Sequence, residues 1–246
     1  MKNEGKTVVV TGGAGGLGRA VIALLKTKGW TTVSLDLQSD NRADSRSAPD
    51  LALVADVSSS SEIDEAFKQI EEQFHSLDAL ICLAGVVFDA PVVGISKREI
   101  QPYSEEHWRQ TLDVNLTGTF LSAREFLLRN IKSRRKGVIV TCSSPAAVGS
   151  PGQAAYSASK AGVEAFTVAL AREASPWGIR VCGLRPALTK TPMADRYPPH
   201  ILDGLVKKSL LHRFAAAEEV AQAFLFLLES DLANGRIFSL DGGIQL

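Results

Sequence analysis

The sequence predicts a doubly wound α/β fold, and three observations predict it. Short β-branched runs alternate with longer amphipathic segments along the 246 residues. A glycine-rich turn, Thr11-Gly12-Gly13-Ala14-Gly15-Gly16-Leu17-Gly18, joins the first such run to the first amphipathic segment. No shift in composition, repeat or low-complexity tract marks a second unit, so residues 1–246 are expected to form a single domain. Strands that alternate with helices pair in parallel, and a parallel sheet is covered by helices on both faces.

The elements follow in order. Thr7-Val8-Val9-Val10 is β-branched throughout and too short for a helix, so a buried strand is expected at 7–10. Further strands are expected at 32–35, 51–54, 79–83, 138–142, 180–184 and 237–240, giving a parallel sheet of about seven strands. Helical periodicity covers 17–28, where Gly29 ends it, and 62–74, with Ser60 or Ser61 as the expected N-cap. A long helix is expected over 105–131, and others over 154–173 and 218–228. Long loops remain at 38–50, 86–104 and 187–195. The last two follow strand ends, where ligands of open α/β sheets bind.

Composition narrows the function classes. Hydrophobic residues make up 45% and charged residues 22%, as in an ordinary globular protein. Lys+Arg and Asp+Glu both number 27, so no general field attracts nucleic acid or an anionic membrane. No apolar run approaches the ~18 residues of a membrane span. The first strand begins almost at once, which leaves no room for a targeting segment and predicts a cytoplasmic protein. Cys82, Cys142 and Cys182 lie in or beside apolar runs, are odd in number and lack CxxC spacing; they are expected to be reduced core residues, with no metal.

The glycine turn points to a phosphate. Glycines let the backbone approach a ligand closely, and the N-terminus of the following helix offers unpaired N–H groups and the positive end of its dipole. Gly12, Gly15, Gly16, Leu17 and Gly18 are therefore candidates to cradle a pyrophosphate. Asp36 ends the second strand, where a carboxylate accepts hydrogen bonds from ribose hydroxyls and repels a 2′-phosphate; no Arg follows it directly. This predicts NAD rather than NADP. Asp56-Val57 ends the third strand, at the adenine edge or as a helix-capping feature.

The chemistry points to a proton transfer coupled to hydride transfer. Tyr156 and Lys160 are four apart on a helical segment and share a face. A phenol is a weak base near neutral pH, but an ammonium and an oxidised nicotinamide beside it stabilise the phenolate. That phenolate takes the proton of an alcohol, and the phenol returns it to an alkoxide in reverse. Ser143 ends the strand before this helix and can hydrogen-bond the substrate oxygen. Asn115, inside the long helix, has donors and acceptors that can hold a water beside Lys160.

With these residues in this order, the sequence from Lys6 onward resembles the short-chain dehydrogenase/reductase family, whose fold is of Rossmann type. The resemblance maps the family's glycine pattern to Thr11, Gly12, Gly16 and Gly18 and its catalytic tetrad to Asn115, Ser143, Tyr156 and Lys160. Ser143 is preferred to Ser144 because it lies thirteen residues before Tyr156. The resemblance further implies that Asp56 and Val57 meet the adenine and that Ala84 and Gly85 pass beside its ribose. Pro186, Ala187, Leu188 and Thr191 would then line the nicotinamide pocket. Two positions depart from the family. Cys82-Leu83 replaces an Asn pair that braces the central sheet, and Ala187 replaces a glycine; if that glycine needs a positive φ, Ala187 shifts the loop or carries strain.

The pattern is nearest to the type-2 3-hydroxyacyl-CoA and hydroxysteroid dehydrogenases of that family. Lys97 and Arg98 of the long 86–104 loop stand where they meet CoA phosphates or form a solvated tip. Pro145, Ala146, Val148, Leu188, Met193 and Tyr197 are the substrate-pocket candidates, and 187–197 is the candidate lid. The expected function is an NAD-dependent oxidoreductase interconverting a secondary alcohol and a ketone, with Tyr156 as acid/base. The alternatives are a 3-oxoacyl reductase of fatty-acid type and a non-catalytic cofactor-binding sensor. The resemblance also implies a homo-oligomer, dimer or tetramer, paired through the two long helices.

Overall fold

A computed structural model describes residues 3–38, 45, 47–74, 76–96 and 99–244. Its centre is a seven-stranded sheet, parallel throughout: β1 (Thr7–Thr11), β2 (Thr31–Asp36), β3 (Leu51–Val54), β4 (Ala79–Cys82), then β7 (Gly137–Cys142), β8 (Ile179–Pro186) and β9 (Ile237–Leu240). A separate antiparallel hairpin pairs β5 (Val93–Ser96) with β6 (Glu99–Pro102). Lys97 and Arg98, and most of the 38–50 loop, lie outside the described residues. The helices are α1 (Gly16–Thr27), α2 (Ser60–Gln73), α3 (Glu105–Leu112), α4 (Gly118–Lys132), α5 (Ala154–Ala174), α6 (Pro199–Lys207) and α7 (Ala217–Glu229).

The strand order is β3-β2-β1-β4-β7-β8-β9. The chain therefore builds outward on one side of β1, then returns to build on the other. The order reverses between β1 and β4, and the crevice beyond their carboxyl ends is where such sheets bind ligands. Every residue of β1 and of β4 is buried, as expected for strands covered on both faces. One face packs on α2, α4 and α5 through Phe67, Ile70, Phe126 and Leu170; the other packs on α1 and α7 through Ile22, Leu25, Phe224 and Leu228. Thr11 Oγ1 accepts from the N–H groups of Leu83 (3.2 Å) and Ala84 (3.3 Å), which staples the ends of β1 and β4 together despite the missing Asn pair.

Three expectations are revised. Ser59, rather than Ser60 or Ser61, caps α2, its hydroxyl accepting from Glu62 N–H. The single helix expected over 105–131 is interrupted by a π-helical turn, Asp113–Thr117, in which Gly118 N–H reaches back to Asp113 C=O. The wide turn inserts one residue and carries Asn115 inside, at 0% exposure. The β5–β6 hairpin and α6 were not expected at all.

Cys82 and Cys182 are buried, Cys142 is half-buried, and all three are free. Burial pushes the Cys82 and Cys182 thiols up to about 12, so they stay neutral near physiological pH. Among the described residues no helix is long and apolar enough to cross a membrane.

A charge cluster ties α2 to α4. Arg129, 8% exposed, pairs with Glu125 one turn earlier and reaches Asp64 (3.1 Å) and Glu71 (2.9 Å) on α2. Glu125 is itself only 4% exposed and also accepts from Arg124. Removing one member of a buried pair strands the other's charge. Arg129→Ala is therefore expected to lower the unfolding free energy by about 3 kcal/mol, read as a lower urea midpoint with an unchanged m-value.

Candidate active site

The crevice begins at the glycine turn. Gly12 has φ of +69°, and a Cβ there would lie 2.7 Å from Ala84 N, so only glycine lets this backbone cross so close to the chain leaving β4. Gly15 is the N-cap of α1, followed in the first turn by Gly16, Leu17 and Gly18; this end has no side-chain cap and no acidic residue. Such an end carries unpaired N–H groups and the positive end of the helix dipole. A Cβ on Gly16 would meet Pro192 at 2.8 Å and Thr191 at 3.2 Å, so the segment after β8 lies directly on the glycine turn and brings Thr191 with it.

At the outer end, Asp36 Oδ2 accepts from Ala14 N–H (3.0 Å), which fixes the carboxylate against the turn. Asp56 Oδ1 accepts from both the N–H (2.8 Å) and the hydroxyl (2.7 Å) of Ser58. It therefore closes a turn ahead of α2, the capping-like feature the sequence left open. Val57 is buried, its side chain facing Gly118.

Deeper in, two candidates, Asn115 and Lys160, converge on Gly85. A Cβ at Gly85 would lie 3.2 Å from Asn115 Oδ1 and 3.7 Å from Lys160 Nζ. Asn115 clamps the next residue from both sides: its Oδ1 accepts from Val86 N–H (2.8 Å) and its Nδ2 donates to Val86 C=O (3.0 Å). Nδ2 also donates to Ser159 Oγ (3.0 Å), whose hydroxyl donates to Tyr156 C=O (2.7 Å). Lys160 is 5% exposed; its ammonium donates to Cys142 C=O (2.8 Å) and sits 5.6 Å from the Tyr156 ring centroid. Tyr156 is half-buried, one helical turn nearer the mouth.

Ser143 does not join them. It is 2% exposed, and its hydroxyl donates to Glu164 Oε1 (2.6 Å). Arg185 grips the same carboxylate through Nε (3.0 Å) and Nη2 (2.9 Å to each oxygen). Glu164 accepts from both side chains, so the Ser143 proton is committed to it. Ser144 has the complementary arrangement. Its oxygen accepts from Ala146 N–H (3.2 Å), capping the 3-10 turn Pro145–Val148, and among the described residues no acceptor takes its proton. The two neighbours past the end of β7 thus differ: one hydroxyl is bound by Glu164, the other keeps its proton free of a protein acceptor among the described residues.

Around the mouth, Pro145 begins the 3-10 turn, with Ala146 buried at 3% and Val148 71% exposed. Pro186 ends β8, and Ala187 follows without the left-handed backbone a glycine would permit: the positive-φ non-glycines among the described residues are Arg134 and His212. The glycine replacement therefore carries no such strain. Ala187 C=O accepts from Thr189 Oγ1 (2.8 Å), and Leu188 C=O from Ala215 N–H (2.8 Å). Met193 is 37% exposed. Tyr197 donates its phenol proton to Asp89 Oδ2. Burial first, and the Asp89 carboxylate next, push that phenol upward. Ser144, Asp89, Gln153, Glu164 and Arg185 were not singled out as site residues from the sequence. Asn115→Ala is expected to expose the Val86 amide to rapid hydrogen exchange while β1 and β4 amides stay protected; persistent Val86 protection would remove Asn115 from its clamping role.

The short chain dehydrogenase family model matches residues 6–201. The 3-oxoacyl-(acyl-carrier-protein) reductase FabG of Thermotoga maritima is 32% identical, covering 100% of both chains. Carbonyl reductase family member 4 of Xenopus tropicalis is 35% identical over 98% of each chain. The 3-hydroxyacyl-CoA dehydrogenase type-2 of Homo sapiens is 32% identical over 99% of this chain and 96% of that one. The crystal structure of gox2181 superposes with a TM-score of 0.84 at 26% identity, over 98% of this chain and 95% of that one.

Proposed function

The chain belongs to the short-chain dehydrogenase family of oxidoreductases, which use nicotinamide cofactors, and we propose that it is an NAD-dependent enzyme interconverting a secondary alcohol and a ketone with Tyr156 as acid/base. The observation that carries this reading is the buried Lys160 ammonium beside the Tyr156 ring, behind a glycine turn with no room for side chains.

The site fits the cofactor. Gly12 and Gly16 let the chain leaving β4 and the segment after β8 close tightly on the glycine turn, the N-terminus of α1 has no side-chain cap, and Asp36 ends β2 where ribose hydroxyls would reach it. When bound, NAD supplies the acceptor or donor of hydride. The chain's own groups handle the proton and position. Tyr156 takes the hydroxyl proton of the alcohol or returns it to the alkoxide. The Lys160 ammonium favours the charged phenolate. Asn115 keeps Val86 and Gly85 where the ribose passes, with Ala84 beside it. Thr191 and the backbone of 186–188 line the nicotinamide side. Ser144, in the part first given to Ser143, donates to the substrate oxygen and steadies its charge. Pro145, Ala146, Val148, Met193 and Tyr197 border the substrate. Exposed Phe120 and Leu128 on α4 support pairing with a second copy.

A 3-oxoacyl thioester remains the second substrate reading, because a relative of full length carries that name. The Asp36 carboxylate favours NADH over NADPH: fluorescence titration is expected to give at least tenfold tighter NADH binding, and equal or reversed affinities would remove Asp36 from that role. Tyr156→Phe is expected to keep NADH affinity and lose at least ~100-fold in kcat for reduction of an activated ketone. Near wild-type turnover in that variant would assign the proton to another group.

A further inference from the structure

We propose that Asp89 chooses the substrate: its carboxylate, fixed at the mouth of the crevice, favours neutral ketones and alcohols that carry a second hydrogen-bond donor, such as a hydroxyl or amide N–H, and disfavours those that carry a carboxylate. The inference rests on reading Tyr156 as the reacting group and deepens it by naming the substrate class.

The chain leaving β4 is pinned at nearly every step toward Asp89. Val86 is clamped on both its N–H and its C=O by Asn115. Phe88 C=O accepts from Tyr103 Oη (2.8 Å), and its ring stacks on His107 with centroids 4.3 Å apart and planes 3° off parallel. Asp89 Oδ1 accepts from Gln153 Nε2 (3.0 Å), and Oδ2 accepts from the Tyr197 phenol. Gln153 Nε2 also reaches Tyr197 Oη (3.3 Å). An exposed aspartate on a long loop would ordinarily sample many positions. Here the backbone before it and both of its oxygens are held.

The partners place this carboxylate at the reacting end. Gln153 lies three residues before Tyr156. Tyr197 lies close enough that a charge on Tyr156 is felt at its phenol. Asp89 comes from the loop after β4, Gln153 from the start of α5, and Tyr197 from the segment after β8, so three walls of the crevice meet at one acceptor.

An ionised carboxylate has about four acceptor positions. Gln153 and Tyr197 use two, and the exposure of Asp89 leaves the rest available to a ligand. A donor on the substrate gains a charge-assisted hydrogen bond to a group that need not reorganise. A carboxylate in the same place meets like charge. A mere tether between loops would behave differently: loosening it would weaken all substrates alike.

The test uses three matched pairs of methyl ketones, which place the second group at increasing distance: hydroxyacetone and pyruvate, 4-hydroxy-2-butanone and acetoacetate, 5-hydroxy-2-pentanone and levulinate. Each is titrated by calorimetry into the full chain with saturating NAD in its oxidised form, so that no ketone can be reduced and binding alone is read. At the best-fitting length, wild type is expected to bind the hydroxyketone roughly tenfold tighter than its carboxylate partner. Asp89→Asn, an exposed isosteric change, is expected to bring that ratio close to one. No preference in wild type, or an undiminished ratio in Asp89→Asn, overturns the proposal. In parallel, reduction of 2-butanone with NADH tests the underlying reading: absence of turnover with the binding preference intact sinks Tyr156 as acid/base and leaves Asp89 as the selecting group.

Discussion

The site is organised around a buried ammonium. Lys160 lies almost wholly out of water, and such a charge is tolerated only where acceptors surround it. One acceptor is the C=O of Cys142 at the end of β7, and the face of Tyr156 lies over it. That requirement links the sheet to α5, because the carbonyl must point out of the β7 ladder at its last residue while α5 delivers Lys160 and Tyr156 one turn apart. The same one-turn spacing places Glu164 next along the helix, where it binds Ser143 and Arg185 and so locks the ends of β7 and β8 to α5.

The rest of the crevice follows from two close approaches. Thr11 Oγ1 draws the chain leaving β4 against the end of β1, and Gly12 permits that crossing because it has no Cβ. The π turn at Asp113–Thr117 then points Asn115 inward to hold the next residues, Gly85 and Val86. A regular α-helix through 105–131 would have rotated that side chain by the angle of one residue and left the Val86 backbone without these partners.

Much of this was legible in the sequence, for physical reasons. All seven strands of the main sheet are short runs rich in apolar or β-branched residues, and the glycine turn, Asp36, Tyr156 and Lys160 sit at fixed places relative to them. What escaped depends on contacts the linear pattern does not encode. The β5–β6 hairpin exposes Val93, Ile95 and Ile100, so its strands show no buried alternation. Helix α6 starts at Pro198-Pro199, which reads as a loop although proline suits the first turn of a helix. The π turn leaves the apolar periodicity on both sides intact. Counting back from Tyr156 picks out Ser143, whereas the partners its hydroxyl takes, Glu164 and through it Arg185, lie far along the chain. The Asp89–Tyr197 contact joins residues 108 apart in the chain, beyond the reach of any local pattern.

The central claim is that an ammonium at position 160 makes the neighbouring phenol competent, and chemical rescue addresses it most directly. Lys160→Ala, assayed for NADH formation with a secondary alcohol, should be slow and should recover several-fold when methylammonium is added, while Tyr156→Phe should not respond to the amine. Activity in Lys160→Ala equal to wild type without amine, or equal recovery of Tyr156→Phe by methylammonium, would contradict the account.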